Sequence, residues 1–534
     1  MAKRKNKGKK QEAVANKPKV PKPKPSRGKP TDRQVATGLT AVNRINEHLP
    51  NELLAYIFAT VILNLLPKEH RSFLALVCSI CRRWRNVAIE ASELWTTIYI
   101  HHQNHIPTAE LFLKRSKTQF LDVDIEVVFG REFPQFTSGR GGYYRSPPVA
   151  FSRQSGLRVA ELTSAHLERT RTLSLSISDA QGAERFSALY RPVSTPHLVS
   201  LSIYIQGWLQ SAPPLLDSIC SVSSNGSDGL PSNAASGFIL TRLELGAVQP
   251  EHEDMRKIFT YFPSLETLIL PQFCQGWRRN QEVERPIIFA PNSLRSLAVQ
   301  LDHTHKSSHA GNSPDCSCVL GSLCFPNLEY LEVLGDDSSL DLNFCSHFKD
   351  LPKLKTLRLQ RCSVSPSDDT FFRSLKLLDR LELVDNLKDV KWCNDYRKKV
   401  SLPFPRLSSI LLSDNSRGGC PDMFQWARVA QLAIQNYGCT QFSIKVTAQH
   451  HNMMTLALQS HQPNERIHLE TADRPPSLLH PLPPLAGNSF NWPYDDGDHY
   501  DYHDSDYDSD SDLYFDEYGF DTFDYENHAE YYGF

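Results

Sequence analysis

An α/β fold, in which a small helical unit precedes a curved stack of parallel strands, is what this sequence predicts, and three features predict it. Large apolar residues at helical spacing crowd the stretch from Leu49 to Trp95. A unit of the form Leu-x-x-Leu-x-Leu then recurs from Leu198 to Leu412. The two ends are runs of like charge, basic at the start and acidic at the finish, and are expected to stay disordered. The net charge of −2 over 534 residues is the sum of those opposed ends and says little about the middle.

Residues 1–40 form the basic arm. It opens with KRKNKGKK, and only Glu12 and Asp32 oppose its lysines and arginines. With almost no large apolar side chains it cannot offset the entropy of ordering. It reads as a nuclear import signal or a solubilising extension. Nucleic-acid recognition is not expected, because the arm has no aromatic side chains to stack on bases. No apolar run follows Met1, and no stretch approaches the roughly 18 apolar residues of a membrane helix. No membrane partner is therefore expected, the 12 cysteines should be reduced thiols, and the location should be nuclear, cytoplasmic or both.

The helical unit covers 45–98. Pro50, Asn51 and Glu52 make a helix start, and Leu53, Leu54, Ile57 and Phe58 follow as one apolar stripe. Phe73, Leu74, Val77, Cys78 and Cys81 make a second stripe, with Trp84 inside the basic run Arg82, Arg83, Arg85. So short a unit has more large apolar side chains than its own core can hide, so some should meet another surface. Cys78-x-x-Cys81 copies a redox spacing but lies on an apolar stripe without a βαβ context, and packing is the better reading.

The order Leu-Pro-x-Glu-Leu-Leu-x-x-Ile-Phe, then Val-Cys-x-x-x-Arg-x-Trp-Arg, then Leu-Trp resembles the F-box. The resemblance covers about a tenth of the chain. It implies docking onto a Skp-type adaptor and, through it, a cullin–RING ubiquitin ligase. Leu49, Pro50, Leu53, Leu54, Ile57, Val77, Cys78 and Trp84 would then supply the adaptor interface. The sequence departs from the family pattern in a longer spacer, Ala59 to Ser72, and in the extra step at Cys81.

Beyond this unit, Ile98 to Ile100 should be extended, Ala109 to Lys117 a short helix, and Phe120, Val123, Ile125 and Val127 a strand. The Gly, Arg and Tyr-rich stretch from Thr137 to Pro148 reads as a loop. The repeat then appears as Leu198-Leu201-Ile203, Leu240-Leu243-Leu245, Leu265-Leu268-Leu270 and Leu294-Leu297-Val299. It continues as Leu328-Leu331-Val333, Leu354-Leu357-Leu359, Leu378-Leu381-Leu383 and Leu407-Ile410-Leu412, with a degenerate copy at Leu173-Leu175. Most steps are about 24 to 34 residues, near the upper end of leucine-rich repeat lengths. The last two apolar positions of each unit should face one side of a strand and stack as a ladder. Cys362, Asn386 and Asn415, with Asp302 and Asp336 in the same place, mark the turn out of the strand, where a side chain can satisfy free backbone groups. The reading is an irregular leucine-rich-repeat solenoid over 105–450.

Two insertions interrupt it. Pro213 to Ser236 is Ser, Gly and Asn-rich. Asp302 to Cys318 holds His303, His305, His309, Cys316 and Cys318, with Cys324 beyond, but the spacing matches no common zinc site and no metal is expected. Residues 460–534 are a Pro-rich linker and an acidic, Tyr and Asp-rich tail, in which Ser505 and Ser509 each precede an aspartate by three. That tail is a docking peptide for a basic surface, a solubiliser, or a partner for the basic arm.

No Gly-rich phosphate loop, His-Glu-x-x-His or Gly-x-Ser-x-Gly occurs, so no catalysis and no cofactor are expected. The residues between the ladder leucines line the other face: Glu244, Ile269, Ala298, Glu332, Arg358, Glu382 and Leu411. Glu332, Arg358 and Glu382 come from consecutive repeats, about 4.8 Å apart. They are either a cross-strand charge ladder or the reader of an acidic group on a protein client. The sequence thus predicts the substrate-recognition subunit of an SCF-type ligase. The alternative is a non-catalytic scaffold whose helical unit only caps the solenoid.

Overall fold

The structure is a computed structural model that describes residues 48–129, 151–178, 180–190, 195–205, 239–246, 250, 252–273, 286–301, 319–335, 348, 351–362, 369–385, 404–413, 423–460, 465–472 and 477–479. Helices α1 (Asn51–Leu63), α2 (Pro67–Ile80) and α3 (Arg82–Glu90) form the N-terminal unit. Pro50 stands immediately before α1, and its carbonyl accepts from Leu54 N–H at 3.1 Å. Pro67 opens α2, and the Glu69 carboxylate turns back to accept from Leu66 N–H at 3.1 Å. The long spacer Ala59 to Ser72 is the last turn of α1, a short link and the first turns of α2. The extra step at Cys81 is the break between α2 and α3. Its backbone is extended, and its sulfur accepts from Trp84 N–H at 3.4 Å.

The strands are β1 (Thr97–Ile100), β2 (Leu121–Val127), β3 (Thr170–Ile177), β4 (Ser200–Ile205), β5 (Arg242–Gly246), β6 (Thr267–Phe273), β7 (Ile288–Phe289), β8 (Ser296–Leu301), β9 (Leu323–Cys324), β10 (Tyr330–Leu334), β11 (Thr356–Gln360), β12 (Arg380–Val384), β13 (Ser409–Ser413), β14 (Phe442–Val446) and β15 (Ile467–Thr471). Among the described residues, β7 and β9 pair with each other, and the other 13 form one sheet whose spatial order is their chain order. Every pairing is parallel, as it must be when each strand is reached by a connection running back along the outside.

The register realises the ladder. Leu173, Leu201, Leu243, Leu268, Leu297, Leu331, Leu357, Leu381, Ile410 and Ile444 are successive cross-strand partners. All are buried. Each contributes about 1.5–3 kcal/mol on leaving water. The turn out of the strand is as expected at Cys362, whose thiol lies 3.4 Å from Val333 O and 3.2 Å from Gln360 O. Arg361 and Asp385 enter that turn with positive φ, 52° and 54°.

The sheet begins at Thr97 and ends at Thr471, wider than the expected 105–450. Its first two strands carry mainly Ile and Val on the ladder, and its last carries Ile467 and Leu469, so neither end has the full leucine signature. Helices on the outer side add Phe112, Val159, Phe186, Ile258 and Trp426 to a core continuous with Leu54, Phe58 and Trp95 of the helical unit. The basic arm, the Thr137–Pro148 stretch, both insertions, Asp336, Asn386, Asn415 and the acidic tail lie outside the described residues. Among the described residues no His, Cys, Asp and Glu cluster could hold a metal, and no helix is long and apolar enough to cross a membrane.

Candidate functional site

Helix α1 carries two apolar stripes, one turned inward and one outward. Leu54, Phe58 and Ile62 point into the core, at the four-residue spacing of one helix face. Leu53, Tyr56, Ile57 and Val61 point away, and Leu53, Tyr56 and Ile57 are 49%, 70% and 44% exposed. Leu63, and Leu76 and Ile80 of α2, add exposed apolar surface to the same unit. A helix apolar all round is normally buried on both sides, so the outward face lacks a covering surface among the described residues.

The expected adaptor residues divide accordingly. Pro50, Leu53 and Ile57 are exposed, and Leu49 and Trp84 are half-buried. Leu54, Val77 and Cys78 are buried in the unit's own core. The reason is helical phase: Leu53 and Ile57 lie about 100° from Leu54 and Phe58, so the single stripe read in the sequence is two. Tyr56, Val61, Leu63, Leu76 and Ile80 were missed, although a count of apolar residues off the Leu54 face would have found them. Cys78 has its thiol pushed up by burial, partly opposed by Arg115 and Arg85, which suits packing rather than reactivity.

Polar contacts hold the unit in shape. Arg83 donates to Asn51 Oδ1 at 3.0 Å and also to the Leu49 carbonyl, tying α3 to the start of α1. Arg85 donates to Cys78 O at 2.8 Å. Trp84 lies against Phe58, ring centres 5.2 Å apart. Trp95 donates to Ala88 O at 2.7 Å and takes the Arg115 guanidinium over its ring at 4.4 Å, which joins the unit to the first helix of the solenoid.

On the inner face of the sheet, Ile269, Ala298, Glu332, Arg358, Glu382 and Leu411 are cross-strand partners in one row. Arg358 Nε is 3.4 Å from Glu332, and its Nη1 is 3.2 Å from Glu382. Arg380 closes on Glu382 at 2.7 Å, and Tyr330 donates to Glu332 at 3.0 Å. Burial first, then Glu332 and Glu382, push the Tyr330 phenol well above its ordinary range, so it stays a donor. The ladder reading of these charges is the one their geometry matches. They are not open to a client in this conformation: Glu332 and Arg358 are 0% exposed and Glu382 is 4% exposed. What lies on Glu332 is the chain's own segment 477–479, whose Leu478 N–H donates to its carboxylate at 2.8 Å and whose Ser477 hydroxyl contacts the other oxygen. Sequence reasoning missed this cover, because three residues in a Pro-rich stretch carry no periodic signal.

A second polar cluster lies near the first strands. His101 bridges Asp124 at 3.1 Å and Glu126 at 2.9 Å, and stacks on Tyr99 with ring centres 3.9 Å apart. Burial alone would lower the His101 pKa; hydrogen bonds to the two carboxylates outweigh it and lift it to about 9. Burial, with Asp124 and Glu126, pushes the Tyr99 phenol up to about 12.

No curated protein matches the chain. Among solved structures, an internalin from Listeria monocytogenes is similar at 13% identity with a TM-score of 0.20, over 60% of this chain and 93% of that one. Residues 46–101, the three helices together with β1, match the family model described as F-box-like.

Proposed function

We propose that the protein is a substrate-recognition adaptor of an SCF-type cullin–RING ubiquitin ligase. The outward face of α1 and the end of α2 take a Skp-type adaptor, and the solenoid takes a protein client. Ubiquitin chemistry is left to the partners. The observation that carries this reading is the bare stripe Leu53, Tyr56 and Ile57, inside the F-box-like segment and beside a buried stripe on the same helix. A few such anchors dominate a typical interface. We place the protein in the cytoplasm, the nucleus or both, with the basic arm as an import signal.

The test is co-purification of a Skp-type adaptor with the full chain, wild type against Leu53→Asp with Ile57→Asp. Loss of adaptor with an unchanged melting temperature supports the reading, and retained adaptor ends it. A second reading is supported by the apolar core that runs unbroken from Phe58 through Trp95 to Ile98. On that reading the helical unit caps the open end of the solenoid and the protein is a scaffold. The two roles use different faces of α1, so capping does not by itself argue against docking.

A further inference from the structure

The inner face of the sheet has two halves that meet at β10. On one side Ile269, Ala298 and Leu334 form an apolar patch separate from the main core. On the other lie Glu332, Arg358, Glu382 and Arg380. Ser477, Leu478 and Leu479 span the junction: the hydroxyl and the following amide go to the two oxygens of Glu332, and Leu479 is buried with Ile269, Ala298 and Leu334. Leu478 packs against the same patch, partly buried.

This is how a site reads an extended peptide. A carboxylate that takes a side-chain hydroxyl and the next backbone N–H fixes one register, and an apolar pocket fixes the residue two places on. From the sheet, Tyr330 and Arg358 reach Glu332; from 477–479, the Ser477 hydroxyl and the Leu478 amide reach it. A buried carboxylate stripped of those donors must find others, and an uncovered Ile269–Ala298–Leu334 patch must find another apolar side chain. Among the described residues the occupant reaches Glu332 through Ser477 and the Leu478 amide and the apolar patch through Leu478 and Leu479, a contact between residues 145 apart in sequence.

We propose that this face is a binding site for extended segments with a hydroxyl residue followed by two large apolar residues, and that Ser477–Leu479 occupies it in cis until such a segment displaces it. The inference deepens the client-binding half of the function above and is independent of the adaptor half. The chemistry also sets a polarity: a phosphate on the hydroxyl would stand against the Glu332 carboxylate, so the site takes the unmodified residue and rejects the phosphorylated one.

The test measures fluorescence anisotropy of a labelled peptide of residues 473–482 added to the full chain, without any adaptor. Against wild-type chain the tethered occupant competes at high effective concentration, so a chain carrying Leu479→Asp should bind the peptide roughly ten-fold or more tightly than wild type. The same peptide phosphorylated at Ser477 should lose binding at least roughly ten-fold, because like charges face each other in a desolvated site. Equal binding to both chains, or no binding to a Leu479→Asp chain with an unchanged melting temperature, overturns the proposal. Should that variant fail to fold, hydrogen exchange on the wild-type chain decides: the Leu478 amide should exchange at least roughly ten times faster than those of Leu331 and Leu357, as local opening without global unfolding requires. Equal protection makes 477–479 a fixed part of the fold and overturns the proposal. The Leu53→Asp, Ile57→Asp chain should bind peptide as wild type does, so failure of the adaptor reading leaves this result standing.

Discussion

The outer face of α1 and the inner face of the sheet treat their exposed chemistry in opposite ways. The helix leaves Leu53, Tyr56 and Ile57 in water, while the sheet covers Ile269, Ala298 and Glu332 with three residues from far along the same chain. The difference teaches that side-chain type alone does not say which surface is available. The sequence places Leu53 and Ile269 alike on faces that a partner could reach, and only Leu53 is exposed. Availability depends on whether the chain brings its own cover.

The sharpest way to break the comparison is to change one face of α1 at a time. Leu53→Asp with Ile57→Asp should abolish adaptor co-purification with little change in melting temperature, since both side chains already face solvent. Phe58→Ala, on the other side, should cost about 3–5 kcal/mol of stability in urea unfolding, because it leaves a cavity between α1 and Trp84. If both variants lose stability equally, the two stripes are not distinct.

Next in size is the buried charge row. Arg358→Met leaves Glu332 and Glu382 facing each other without their shared cation, and should cost about 3–5 kcal/mol, read as a lower urea midpoint at neutral pH. Replacing Glu332, Arg358 and Glu382 together by apolar residues of similar volume should cost less than the single change, because no fully buried charge is left facing another and Arg380, which loses Glu382, is partly exposed.

His101 gives a smaller effect with a defined sign. Its folded value of about 9 lies above its ordinary value of 6.5, so its contribution is fully present below about pH 6.5 and is lost as pH rises through about 9. His101→Gln should remove about 1 kcal/mol at pH 6, reduced because Asp124 and Glu126 partly face solvent, and almost nothing at pH 10. Smallest of all is Lys355→Ala, which breaks an exposed pair with Glu329 and should cost under about 1 kcal/mol at low salt and less at high salt.

Much of the fold was legible because a ladder needs the same residue type at the same phase in each strand. Leu201 through Ile410 obey that rule, so periodicity located their strands and their inward faces. The ends were less legible for a physical reason: Ile98, Ile125 and Ile444 satisfy the same ladder without being leucine, and a β-branched residue serves a strand as well. In the helical unit the residues were legible but their directions were not. Leu53 and Leu54 are adjacent and chemically identical, and only the packing of α1 against Leu74, Val77 and Trp95 decides which one turns inward. The cover over Glu332 was illegible, because a contact spanning 145 residues leaves no local pattern.

One feature of the sheet bears on how the molecule is made. Because spatial order equals chain order in the main sheet, each strand emerging from a ribosome meets a neighbour already in place, and assembly can advance from Thr97 toward Thr471 without waiting for later residues. Ser477–Leu479 is the exception, since it returns from beyond the last strand to the middle of the stack. The part of the inner face around Glu332 and Ile269 therefore stays bare throughout translation of the solenoid, and a nascent chain exposes a surface that the finished protein covers.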